Sequence, residues 1–154
     1  MKKLLLTGCS KGLGLEIARK FINDKWSVYG ISRSTPPDEL MSHENFHFLS
    51  FDMSNSDQVK SVFKKFIGNN IKLDAVVHNA AIAYDDIVTN LKLEPLEQMY
   101  KINVFSPMMI NRCAIRNMIY NNTKGSFVFI SSISSTTGYK GLSMYASTKG
   151  AIES

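Results

Sequence analysis

Short, mostly apolar runs alternate along this chain with stretches in which apolar residues recur at helical spacing. The runs Lys3 to Leu6, Ser27 to Ser32, Phe46 to Phe51, Ala75 to His78 and Ser126 to Ser131 predict strands buried on both faces. Between them, Leu13, Ile17 and Phe21 are spaced for one face of a helix. So are Val59, Phe63, Phe66 and Ile67, behind the cap signal Ser54-Asn55-Ser56. A long helix is expected over 95–117, with Leu96, Met99, Val104, Met108, Ile110 and Ala114 apolar and Pro107 interrupting it. These stripes are expected to face the core. The alternation predicts βαβ units, hence an α/β protein with a doubly wound parallel sheet of about five strands in one domain, 1–154. Pro36-Pro37 marks a loop within it rather than a boundary.

Composition narrows the class. In 154 residues, 44% are hydrophobic and 20% charged, the balance of a globular domain with a core. No apolar stretch approaches the roughly 20 residues of a membrane span. Met1 to Cys9 superficially resembles a lipoprotein signal, but Leu4 to Thr7 falls short of the about 7 to 15 apolar residues such a signal needs, so a buried strand is expected. Cys9 and Cys113 stand far apart, in no metal-ligand or redox spacing, so neither a metal nor a disulfide is indicated and a cytoplasmic location is expected. The net charge of +5 comes from scattered Lys and Arg, which reads as an ordinary basic surface rather than a nucleic-acid site.

The first chemistry-bearing motif is Thr7-Gly8-Cys9-Ser10-Lys11-Gly12-Leu13-Gly14, set between the first strand and the first helix. In that context glycines let a phosphate approach the backbone, and the helix start offers free N–H groups to it. The spacing, TGxxxGxG, resembles that of the short-chain dehydrogenase/reductase family. The resemblance implies a Rossmann-like fold and a dinucleotide held by Gly8, Ser10, Lys11, Gly12, Leu13 and Gly14. The second strand ends Ile31-Ser32-Arg33-Ser34, with no carboxylate at Ser32 to bind a ribose hydroxyl. Arg33, with Lys11, is suited to a 2′-phosphate, so NADP(H) is expected over NAD(H). Asp52 and Met53 close the third strand as the family's adenine-binding segment does, although Asp52 is equally placed to cap the next helix. Asn79-Ala80-Ala81 resembles the family's Asn-Asn-Ala-Gly segment, with His78 for its first Asn and Ala81 for its Gly.

Tyr145 and Lys149 are four apart, on one face of a helix expected to begin near Ser143. A free phenol, with a pKa of about 10, exchanges protons poorly at neutral pH, and a neighbouring ammonium is expected to lower it. Ser132, at the end of the fifth strand, stands where open parallel sheets present ligands, and its distance from Tyr145 matches the family's catalytic serine. Ser131, Ser134 and Ser135 are nearby alternatives, and Ser135 stands where many members carry glycine. Asn103 matches the family's fourth catalytic residue. Pro107, lacking an N–H, leaves the Asn103 carbonyl without its helical donor. The resemblance implies that a water there links Lys149 to solvent.

Hydride transfer between NADP(H) and a small carbonyl or alcohol substrate is thus implied, with Tyr145 as general acid/base, Ser132 polarising the oxygen and Lys149 holding the ribose. Relatives that epimerise or dehydrate nucleotide sugars share Tyr-x-x-x-Lys but space their glycines as TGxxGxxG, so they fit less well. Family members run roughly a hundred residues further, so the C-terminal part of the usual fold is expected to be missing. Other expectations are a non-catalytic NADP-binding module, completion by a partner chain, and a homo-oligomer formed through helix 95–117 or an exposed fifth-strand edge.

Overall fold

A computed structural model covers residues 1–154. Its five strands are β1 (Lys3–Thr7), β2 (Ser27–Ser32), β3 (Phe46–Ser50), β4 (Ala75–His78) and β5 (Ser126–Phe129), all parallel, in the order β3-β2-β1-β4-β5. The helices are α1 (Gly12–Asn23), α2 (Asp38–Met41), α3 (Val59–Phe66), α4 (Leu93–Tyr100), α5 (Ser106–Tyr120) and α6 (Ser143–Glu153). Alternate side chains of β1 divide the core. Leu4 and Leu6 pack with Val28, Ala75 and Val77 against Ala18 and Ile22 of α1 and Leu40 of α2. Leu5 packs with Tyr29, Ile31 and Val76 against Val59 and Phe63 of α3 and Ile110, Ala114 and Met118 of α5. Helices therefore cover both faces, the doubly wound arrangement the alternation predicts.

Three local expectations are corrected. The face of α1 turned to the core carries Gly14, Ala18 and Ile22, with Ile17 and Phe21 only partly buried and Leu13 56% exposed. A helix that touches the sheet backbone at Gly14 can present only small residues at the point of contact. Second, β5 is not buried on both faces, since Ser126 and Val128 are exposed and β5 forms an edge. Third, the residues 54–56 supply no side-chain cap to the α3 region, and Asp52 Oδ1 instead accepts from the Ser54 N–H at 2.9 Å. The strands also differ by a residue or two at their ends, β3 stopping at Ser50 and β5 at Phe129.

The long helix forms but is not uniform. Between α4 and α5 lies a π-helical turn, Lys101–Phe105, in which the Ser106 N–H reaches back to the Lys101 carbonyl. Pro107 has no N–H, so the Asn103 carbonyl lacks its i+4 donor, and the Ser106 N–H that would serve Ile102 in an α-helix goes to Lys101 instead. Met108, expected in the core, is exposed, while Met99, Val104, Ile110 and Ala114 are buried. No helix is long and apolar enough to cross a membrane.

His78, at the end of β4, is 4% exposed and stacks on Phe129 with ring centroids 4.7 Å apart. Its Nε2–H donates to Asn111 Oδ1 at 2.7 Å, and Nδ1 has no partner. Burial outweighs that bond and pushes the imidazole pKa down from 6.5 to about 4. The unfolded chain therefore takes up a proton that the folded chain refuses between these values. The share of stability linked to His78 is complete above pH 6.5 and falls as the pH drops toward 4, by up to about 1.4 kcal/mol per unit across that window. Urea titrations at neutral and acid pH should show the wild type losing roughly 2 to 3 kcal/mol more than His78→Asn. Equal losses would mean that His78 does not carry this dependence.

Candidate active site

A cleft of about 240 Å³ opens at the carboxyl ends of the strands, where the chain leaves β1 for one face of the sheet and β4 for the other. It is lined by Gly8, Ser10 and Lys11 after β1, Arg33 after β2, Asp52 and Met53 after β3, and Asn79, Ala80 and Ala81 after β4. Nine of the expected cofactor residues thus converge from four separate loops. Gly12, Leu13, Gly14, Tyr145 and Lys149 do not line it. Ser32, Ser34, Phe51, Ile82 and Ile102 do, and were not singled out from the sequence. Ser32, Ser34, Phe51 and Ile82 adjoin segments that were, whereas nothing local marks Ile102.

The β1 and β4 exits are tied together. Thr7 Oγ1 accepts from the Asn79 and Ala80 N–H groups at 3.2 and 3.1 Å, and Asn79 Nδ2 donates to the Gly8 carbonyl at 2.9 Å. Gly8 has φ +74°, and a Cβ there would lie 2.9 Å from Ala80. The loop is therefore pressed against its neighbour on one side, while a Cβ on Gly12 would meet nothing within 4 Å. No side chain caps the first turn of α1, and neither Lys11 nor Arg33 belongs to an ion pair. An open glycine, an uncapped helix start and two unpaired cations form a seat whose chemistry fits a phosphorylated dinucleotide.

Beside it, α6 carries the proton-transfer candidates. Lys149 is 3% exposed, its Nζ donates to the Ile130 carbonyl at 2.7 Å and lies 5.5 Å from the centre of the Tyr145 ring. Burial lowers the Lys149 pKa. Tyr145 is raised above its ordinary value, chiefly by burial and further by the Asp85 charge, with the Ser132 hydroxyl pulling it down. Lys149, expected to lower it, is not among these causes: its Nζ stands over the ring, 5.5 Å from its centre, and donates to the Ile130 carbonyl. Ser132 Oγ accepts from the Ser134 hydroxyl at 2.9 Å and its N–H at 3.2 Å, which leaves the Ser132 proton free to donate.

Asn103, 2% exposed, is a clamp in this structure. Its Oδ1 accepts from the Ile82 N–H at 3.0 Å, and its Nδ2 donates to the Ile82 carbonyl at 2.9 Å and to Thr148 Oγ1 at 3.0 Å. Thr148 in turn donates to the Tyr145 carbonyl at 2.8 Å, so one buried amide joins the loop after β4 to the helix bearing Tyr145.

The order of strands, the glycine loop and the cleft at their carboxyl ends define a Rossmann-like α/β protein. The family model described as short chain dehydrogenase matches residues 2–154, and the chain belongs to that family of oxidoreductases. It is 28% identical to the oxidoreductase YusZ of Bacillus subtilis (strain 168), covering 99% of this chain and 56% of YusZ. It is 26% identical to the 3-oxoacyl-[acyl-carrier-protein] reductase FabG of Buchnera aphidicola subsp. Schizaphis graminum (strain Sg), covering 98% of this chain and 63% of FabG. Among solved structures, ElxO with NADP bound superposes with a TM-score of 0.87 at 28% identity, covering 98% of this chain and 63% of ElxO. The chain thus spans about three fifths of the length of these relatives.

Proposed function

We propose that the cleft binds NADP(H) in preference to NAD(H), and that the protein reduces a carbonyl or oxidises an alcohol beside it with Tyr145 as general acid/base. NADP(H), when bound, supplies or accepts the hydride. The glycine loop and α1 hold the pyrophosphate, Lys11 and Arg33 the 2′-phosphate, Asp52 and Met53 the adenine, and Asn79 to Ala81 the backbone approach on the nicotinamide side. Lys149 holds the ribose. Ser132, its proton free, donates to the substrate oxygen and steadies the charge that develops there. Burial keeps the Tyr145 phenol protonated, the form needed to give a proton during carbonyl reduction. The Asn103 carbonyl, without its i+4 donor at Pro107, offers a seat for the relay water that the family resemblance implies.

One observation carries the reading: Lys11 and Arg33 arrive from different loops at one cleft that also holds Asp52 and Asn79, and neither belongs to an ion pair. ElxO, whose structure holds NADP, supports it. The relatives are oxidoreductases, which favours this over a non-catalytic binding module. Phe105, Met108, Ile115 and Ile119 are exposed along the turn before α5 and along α5, which supports a homo-oligomer through that helix.

The cofactor assignment is checked by fluorescence titration with both nucleotides. Arg33→Ala should weaken NADPH by about tenfold or more, the worth of a charged hydrogen bond, and leave NADH within about twofold. Equal weakening of the two, or a wild type that prefers NADH, overturns the choice of NADP.

A further inference from the structure

The helix that carries Tyr145 also carries a carboxylate two turns further on. Tyr145, Lys149 and Glu153 recur every four residues on α6, so they share a broad face. The Lys149 ammonium is bonded to the Ile130 carbonyl at 2.7 Å, just before Ser132 in the chain. Glu153 Oε1 accepts from the Ser131 hydroxyl, and it lies 2.6 Å from Ser135 Oγ. Ser135 Oγ is also 2.7 Å from the Ser132 carbonyl, and its one proton serves either that carbonyl or Glu153 at a given moment. Ser132 is thus flanked on both sides by residues stitched to α6.

The stitching has a mechanical consequence. Ser132 and Tyr145 must both reach one substrate oxygen, yet they sit on different elements, a loop beyond β5 and a helix. β5 stops at Phe129, and from there to Ser143 the only regular element is a 3₁₀ turn, Ile133–Ser135. Nothing in that loop fixes its distance from α6 except contacts across the gap. Hydroxyl-to-carboxylate bonds are stronger than neutral ones because the acceptor is charged, although Glu153 is exposed and water screens part of that gain. The two serines also draw the Glu153 pKa down, so the carboxylate stays ionised in neutral solution. Ser135 takes part because it is not glycine, having a hydroxyl to offer where a glycine would have none.

We infer that Glu153 is a positioning residue: through Ser131 and Ser135 it pins the Ser132 loop to the helix that carries Tyr145, and so sets the separation of the two hydroxyls. This rests on the roles proposed for Ser132 and Tyr145. A misplacement of about an ångström at a reacting centre costs up to about a hundredfold in rate. Glu153→Ala is therefore expected to lower kcat for NADPH-dependent reduction of ethyl acetoacetate, a 3-oxo ester, by about tenfold or more. The KM for NADPH should stay within about twofold, because no cofactor-cleft residue touches Glu153. Glu153→Gln keeps an oxygen able to accept from both serines and should restore kcat to within about threefold of wild type. Ser135→Gly should lower kcat less, and adding it to Glu153→Ala should cost almost nothing more, since both cut the same tie.

A second readout needs no turnover. The Tyr145 phenol, followed as the near-ultraviolet phenolate absorbance of wild type minus Tyr145→Phe, should titrate at higher pH in Glu153→Ala, because the Ser132 hydroxyl that lowers its pKa has moved away. If the wild type fails to reduce the ester, the reading of function is at fault and the phenol titration alone decides the tie. An unchanged titration overturns the inference. So does a kcat unaffected by Glu153→Ala, or one that falls only in step with melting temperature and NADPH affinity.

Discussion

Replacing Tyr145 by Phe is expected to lower turnover by about a hundredfold to ten-thousandfold while leaving NADPH affinity within about twofold. The ring stays and only the hydroxyl goes, so the packing of a half-buried side chain is preserved, and the ring still lies 5.5 Å from Lys149 Nζ. What disappears is the phenol hydroxyl that the Ser132 hydroxyl acts on. Lys149 does not substitute for it, because its ammonium is directed at the Ile130 carbonyl. Stopped-flow measurement of NADPH oxidation, with nucleotide binding followed separately by fluorescence, separates the two effects. Retained turnover would remove Tyr145 from the chemistry, whereas lost NADPH binding would show that the substitution had damaged the site itself.

The second large effect concerns the glycine loop and needs no substrate. A Cβ added to Gly14 would lie 1.9 Å from the Gly8 carbonyl oxygen and 2.4 Å from Asn79 Nδ2. Both obstacles belong to the tie between the β1 and β4 exits, so neither can yield without opening that tie. Gly14→Ala should therefore cost about 3 kcal/mol or more of unfolding free energy, at the upper end of overpacking, and weaken NADPH binding with it. Gly150, inside α6, has nothing within 4 Å of its ideal Cβ. Gly150→Ala should be neutral or raise stability by up to about 1 kcal/mol, through helix propensity alone. Two identical substitutions, each in a helix, thus have opposite signs, and urea unfolding of the pair checks it. Equal effects would mean that the close approach at Gly14 is not what holds the loop.

Much of the site was legible because it is built from segments that each follow a strand. Residues next to strand ends converge in any parallel sheet, so recognising the strand exits was enough to bring Gly8, Ser10, Lys11, Arg33, Asp52, Met53 and Asn79 to Ala81 to one cleft, though not Gly12 to Gly14. Where periodicity misled, the cause lay in the third dimension. Leu13, Ile17 and Phe21 share a helical face as well as Gly14, Ala18 and Ile22 do. Only the contact of Gly14 with the β1 exit decides which of the two faces turns inward. The pKa of Tyr145 is a similar case. Its four-residue spacing from Lys149 is local, but whether burial or the ammonium prevails depends on where that ammonium finds its acceptor.

By itself, then, the amino-acid sequence determined the alternation of strands and helices, the parallel doubly wound sheet and the glycine loop between β1 and α1. These depend on hydrophobic period and on motifs within a few residues, which local chemistry dictates. The tertiary structure alone decided the inward face of α1 and the burial that raises Tyr145. It also decided the clamp from Asn103 to Ile82 and Thr148 and the tie from Glu153 to the Ser132 loop. Those contacts join residues 18 to 45 positions apart, and no period or spacing in the chain encodes which distant groups will meet once the sheet has closed.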